Sequence, residues 1–153
     1  MPSNGPFILT SDAFSDGAAI PMQYSCQGAD TSPGLAWSGV PPGAAALVLV
    51  VDDPDAGDFI HWLVLDLPGA DGSLPHGVPA EAPTPQQGRN DFGRTGWGGP
   101  CPPTGTHHYR FRLYATAARL GLDGHPGGSA VRSALSRATV LGQAVLTGTY
   151  KRT

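Results

Sequence analysis

Charge is scarce in this 153-residue chain, and the positive charge it has is not clustered. Charged residues make up 14% of the sequence and the formal net charge is −3 at pH 7. Without a basic stripe, long-range steering toward nucleic acid or an acidic membrane surface is excluded, so any anion site must be local. Long apolar runs are missing too: none approaches the roughly 18–20 residues that span a bilayer. Residues 1–8 carry no basic n-region and no apolar h-region, so no signal peptide is read there and the expectation is a soluble cytoplasmic protein.

Cysteine is nearly absent. Cys26 and Cys101 share no metal-type spacing. They read either as two separate thiols in a reducing compartment or as a disulfide joining the loop after Tyr24 to a Gly/Pro-rich loop. Nucleophile motifs are missing as well. Ser25, Ser32 and Ser38 lack a Gly-x-Ser-x-Gly turn, and Cys101 stands between prolines with no helix N-terminus behind it.

Glycine and proline are abundant, at 22 and 16 residues. Dense apolar runs at 46–51 and 60–67 need burial, so these residues read as turns between strands rather than as disorder. Apolar and β-branched content between turn signals predicts strands at 7–10, 20–24, 35–38, 46–52, 60–67, 109–117 and 145–150. The runs at 46–51 and 60–67 are apolar on both faces, as central strands are. Residues 109–117 alternate, with Phe111, Leu113 and Ala115 on one face and Arg110, Arg112 and Tyr114 on the other. Val131, Leu135, Ala138 and Leu141 recur at helical spacing, which predicts a helix over 129–145 with Ser129 as its N-cap. A short helical turn fits within 81–87. No repeat or linker divides the chain, so residues 1–153 read as a single, mainly β domain.

The chemistry gathers at three places. Asp52-Asp53-Pro54-Asp55-Ala56 follows the apolar run 46–51. It fits an ordinary Asx/Pro turn, or a carboxylate turned into a pocket where it orients a histidine as a donor. His61 opens the next strand after a short connection, which brings it near that turn. His107 and Tyr109 share one strand face by parity, leaving His108 on the other. These follow the loop 90–106, whose Gly99-Pro100-Cys101-Pro102-Pro103 path would bring backbone N–H groups close to a ligand. Two histidines and an acid are a known metal set, but no HxH or HxxxH spacing supports one, and no cofactor motif is present.

These residues stand in a familiar order. Asp53-Pro54-Asp55-Ala56, His61-Trp62-Leu63-Val64, Gly88-Arg89-Asn90-Asp91-Phe92-Gly93, Gly99-Pro100-Cys101-Pro102-Pro103 and His107-x-Tyr109-x-Phe111 together resemble the phosphatidylethanolamine-binding protein family, which includes the Raf kinase inhibitor proteins. The likeness is to its bacterial and archaeal branch and covers nearly the whole chain. It implies a large central antiparallel sheet, a second smaller sheet and a C-terminal helix. It also implies a small pocket for phosphate-like anions or phospholipid head groups, bounded by Asp53, Asp55, His61, Pro100, Cys101, Pro102, His107 and Tyr109. Kinase or protease inhibition and a homodimer are further implications of the family.

The chain departs from the family pattern at three points. The connection Gly57-Asp58-Phe59-Ile60 is short, His108 replaces the usual Arg, and Trp97 replaces a common Tyr. The leading expectation is non-catalytic anion binding. The alternatives are a small hydrolase or metal-assisted enzyme using Asp53, His61 and His107, or a protein-interaction domain with a vestigial pocket.

Overall fold

A computed structural model describes residues 5–153. Strands β1 (Ile8–Thr10), β2 (Leu35–Ser38) and β5 (Gly72–Leu74) form a small antiparallel sheet in the order β1-β2-β5. Strands β3 (Ala46–Asp53), β4 (Phe59–Pro68), β6 (Gln86–Gln87), β7 (Thr106–Thr116) and β8 (Val140–Lys151) form a large antiparallel sheet in the order β6-β4-β3-β7-β8. One helix, α1 (Gly128–Arg137), lies between β7 and β8 in sequence.

Side-chain alternation divides the large sheet into two faces. Leu47, Leu49 and Val51 of β3 join Trp62 and Val64 of β4 and Phe111 and Leu113 of β7 in a core shared with Leu9, Leu35 and Trp37 of the small sheet. On the other face Val48, Val50, Ile60, Leu63 and Leu65 pack against Val131 of α1. β3 is therefore buried throughout, as its two-sided apolar run predicts. Each such fully buried aliphatic or aromatic side chain contributes about 1.5–3 kcal/mol.

One irregularity positions the site. Val51 pairs with Trp62 but Asp52 pairs with Ile60, so His61 is the extra residue of a β-bulge. A bulge bends its strand and re-aims a side chain. Here it lets Ile60 face the helix and Trp62 face the small sheet, with His61 projecting between them at the sheet's end.

Several boundaries differ from the sequence expectation. The strand expected at 20–24 is a 3-10 turn at Met22–Tyr24, preceded by an isolated bridge from Ala19 to Thr149. Pro21, with φ −59, directs the chain into that turn. The helix expected to run to 145 ends at Arg137 and starts after Gly127, so Ser129 lies inside it. The chain then reverses, and β8 pairs along the whole of β7. Leu141, which its spacing places on a helical apolar face, is instead exposed on β8. Residues 81–85 form turns and bends rather than helix, because Pro83 and Pro85 cannot donate to a helical ladder. Strands β5 and β6 are short and were not expected.

Candidate functional site

β3 ends at Asp53, and the Pro54–Ala56 3-10 turn starts there. Asp53 Oδ1 accepts a 2.8 Å hydrogen bond from the Asp55 N–H, which caps the turn, and Gly57 leaves it with φ 66. That left-handed value favours glycine. Asp53 thus serves the turn and the pocket together: its Oδ2 lies 2.6 Å from Nδ1 of His107 on β7. His107 continues the parity of Tyr109, Phe111 and Leu113, so it emerges just beyond the core that buries those three.

His61 at the bulge donates from Nδ1 to the Gly98 carbonyl at 2.6 Å, and its ring meets Tyr109 edge-on with centroids 5.1 Å apart. The loop opposite is held by buried Asn90. Its Nδ2 donates to the Gly96 carbonyl and its Oδ1 accepts from Phe92 and Arg94 N–H. This turn lays Phe92 against Phe59 and His61, with centroids 4.8 and 5.5 Å away. Gly98 is required beneath it, since a Cβ there would stand 2.4 Å from the Phe92 ring.

A disulfide joins Cys101 to Cys26, 75 residues away, and the Cys26 N–H donates to the Pro100 carbonyl at 3.1 Å. The reading of two separate thiols is therefore corrected. The bridge fixes the wall formed by Cys101, Pro102 and Pro103.

Together these elements enclose a cavity of about 180 Å³. Of the expected residues, Asp53, His61, Cys101, Pro102, His107 and Tyr109 line it. Two do not. Asp55 points outward, where its Oδ2 accepts from the backbone N–H and ring Nδ1 of exposed His108. Pro100 is buried behind the wall, its carbonyl engaged by Cys26. Pro103, the end of the expected loop wall, lines the cavity too. Ala56, Phe59 and Phe92 also line it and were missed, having no ionisable group. Phe59 could have been found by parity, two residues from His61. Backbone donors from the loop were expected to face a ligand, yet the Gly98 N–H donates to the His61 carbonyl and the Gly99 N–H to Asp30.

Burial decides the site's electrostatics. Desolvation pushes the His61 pKa down, with the Gly98 carbonyl and Asp53 acting in the opposite sense. Desolvation pushes the Tyr109 phenol up, and the Asp53 and Asp55 carboxylates add to that, so it remains a hydroxyl donor. The hydrogen bonds from His108 hold Asp55 below the ordinary carboxylate value. A larger cleft of about 720 Å³ borders the small sheet between Asp12 and His76, but those two groups are exposed and not buried together. Among the described residues no group of three or more His, Cys, Asp or Glu could hold a metal ion, and no helix is long and apolar enough to cross a membrane.

Comparison with known proteins agrees with this architecture. Residues 10–151 match the phosphatidylethanolamine-binding protein family. A Mycobacterium tuberculosis protein provisionally named lipoprotein LppC is 46% identical over 158 residues, covering 98% of this chain and 75% of that protein. A UPF0098 protein of Methanothermobacter thermautotrophicus is 43% identical, covering 94% and 98% respectively. The crystal structure of E. coli YbcL, described as a new member of the mammalian PEBP family, superposes with a TM-score of 0.86 at 34% identity, covering 96% of this chain and 99% of that one. The chain belongs to the phosphatidylethanolamine-binding protein family, and that membership supports a function of the binding type.

Proposed function

We propose that the cavity binds a small anion, a phosphate or phosphorylated head group, without chemical turnover. The observation that carries this reading is convergence: a carboxylate, two imidazoles and a phenol from β3, β4 and β7 meet around one hollow of about 180 Å³. Apolar walls from Phe59, Phe92, Pro102 and Pro103 exclude water and strengthen each polar contact inside. The lining favours binding over hydrolysis. It contains no serine or threonine, its cysteine is tied in a disulfide, and its tyrosine is held in the protonated form. Regulation of a kinase or protease through the same mouth is the protein-level extension of this reading.

The location expected from sequence was the cytoplasm. The Cys26–Cys101 bridge favours an oxidising compartment instead, and the lipoprotein name of a relative is in keeping with that.

Thermal unfolding with and without millimolar phosphate or phosphoethanolamine tests the binding reading. The expected outcome is a raised Tm for the wild type and none for His107→Ala. Equal protection of both proteins would place the anion elsewhere.

A further inference from the structure

We propose that the Cys26–Cys101 bridge is a thiol–disulfide exchange site, opened in the folded protein by a dithiol reductant while Arg152 stabilises the sulfur that leaves. Opening the bridge releases the wall of the cavity, and that consequence alone rests on the reading of the cavity as an anion site.

Arg152 lies on the bridge. Its Nη1 is 3.3 Å from Cys101 Sγ and 3.6 Å from Cys26 Sγ. Among the described residues it has no other side-chain hydrogen bond and no carboxylate partner. Asp30, which holds the Gly99 N–H of the same wall, pairs with Arg94 instead. Sulfur is a weak acceptor, so the guanidinium does little for the closed bridge. A thiolate is different. A cation beside it lowers the pKa of its thiol and makes that sulfur the faster leaving group.

The position of Arg152 is built, although its side chain is exposed. Gln27, next to Cys26, accepts at Oε1 from the Tyr150 hydroxyl and the Thr153 N–H. Its Nε2 donates to the Thr153 carbonyl. The Tyr150 hydroxyl in turn accepts from buried Ser25. The chain before and after Arg152 is thereby clamped to residues 25–27, the segment that carries Cys26.

Access sets the order of events. Cys26 is exposed, whereas Cys101 is half-buried and faces the cavity. A thiolate arriving from solvent therefore attacks Cys26 Sγ, and the sulfur expelled is that of Cys101, the nearer of the two to Arg152.

The exchange balances in two steps. A thiolate of the dithiol forms a bond to Cys26 Sγ as the Cys26–Cys101 bond breaks, and the electron pair leaves with Cys101. The reductant's second thiolate then attacks its own sulfur in the mixed disulfide and expels Cys26. The dithiol ends as a disulfide and both cysteines end reduced, taking up the protons that the two reductant thiols gave up. Cys101, Pro102 and Pro103 then lose their covalent tie, with the Cys26 N–H bond to the Pro100 carbonyl left to hold them. Coupling of this kind is reciprocal, so an anion that favours the tethered wall must also slow reduction.

The test is the rate of bridge reduction in native buffer without phosphate, read by alkylating the released thiols and weighing the protein. Dithiothreitol should reduce the wild type at a rate proportional to its concentration. Arg152→Gln should slow that rate about threefold or more, and Arg152→Lys should restore most of it. A cation also draws in the attacking thiolate. The loss in Arg152→Gln should therefore be larger with glutathione, which is net negative, than with cysteamine, which carries an ammonium group. Peptide mapping should find glutathione on Cys26 and the freed thiol on Cys101. A rate independent of dithiothreitol concentration, equal rates for wild type and Arg152→Gln, equal losses with the two monothiols, or an adduct on Cys101 would each overturn the proposal. At constant ionic strength, millimolar phosphate should slow reduction of the wild type and not of His107→Ala. Absence of that protection, with the Arg152 effect intact, would strike the link to the anion pocket and leave the exchange site standing.

Discussion

Asp53 holds His107 through a 2.6 Å contact between Oδ2 and Nδ1, across 54 positions of sequence, while its other oxygen caps the turn that follows β3. One buried side chain therefore sets both the local backbone and the orientation of an imidazole. Asp53→Ala should cost about 1–3 kcal/mol of stability, because the Asp55 N–H and the His107 ring lose their acceptor. It should also weaken phosphate binding about tenfold or more, as an unoriented His107 loses roughly 1.4 kcal/mol of interaction. Urea unfolding and calorimetric titration of the same preparation measure the two losses. A stable variant with wild-type affinity would show that Asp53 serves neither role.

The Cys26–Cys101 bridge closes a long loop and carries part of the pocket wall. Replacing both cysteines with serine should lower stability by about 2–4 kcal/mol. Phosphate affinity should fall as well, because Cys101, Pro102 and Pro103 lose their tether to the chain after Tyr24. Reductant should reproduce both effects in the wild type, read as a lower Tm and a smaller phosphate-induced rise. A lowered Tm with an unchanged rise would separate the bridge from the site.

The pocket was more legible in the sequence than the end of the fold. Strand parity separates His107 and Tyr109 from His108, and a short connection brings Asp53 to His61. The first follows from the two-residue strand period and the second from the tight turn between β3 and β4, and both sets of side chains line the cavity. The bulge at His61 was not legible, because it arises from the register between β3 and β4 and not from either strand alone. The over-long helix has a similar cause. The helical spacing of Val131, Leu135, Ala138 and Leu141 runs on through the reversal after Arg137, and only pairing along β7 turns Leu141 into a strand residue. Phe92 reaches the cavity through the Asn90 turn, a tertiary arrangement that composition does not reveal.

Asp52 sits one residue before the pocket carboxylate yet faces the helix side of the sheet. It is fully buried and accepts from Arg110 at 3.0 and 3.1 Å, Arg112 at 2.6 Å and Arg132 at 3.4 Å. Arg132 also donates to the Asp58 carbonyl, so this carboxylate ties α1 to β3 and β7. Asp52→Asn would remove the buried counter-charge that three guanidinium groups share, leaving only Arg110, among the described residues, with another carboxylate, the exposed Asp58. The expected loss is about 3–5 kcal/mol by urea unfolding. Phosphate affinity of the folded variant should stay at the wild-type value, since the pocket opens on the opposite face. A stability change within 1 kcal/mol would mean that the arginines find other partners.

His61 gives the stability a pH dependence of definite sign. Burial lowers its pKa in the fold below the ordinary 6.5, which the unfolded chain retains. As pH falls through that ordinary value, the unfolded chain binds a proton that the buried ring does not yet accept. The unfolded state then holds more protons, so stability falls with falling pH. The contribution from His61 is fully present above pH 6.5 and is lost progressively below it, until the buried ring itself titrates. Replacing His61 with Gln removes the titrating group, so its stability should fall less steeply between pH 7 and 5 than that of the wild type, whatever its absolute value. Urea unfolding at half-unit pH intervals reads the two slopes. Saturating phosphate should flatten the wild-type slope toward that of His61→Gln, because an anion in the cavity offsets the cost of charging the ring. Parallel slopes for the two proteins would mean that this histidine is not the group responsible.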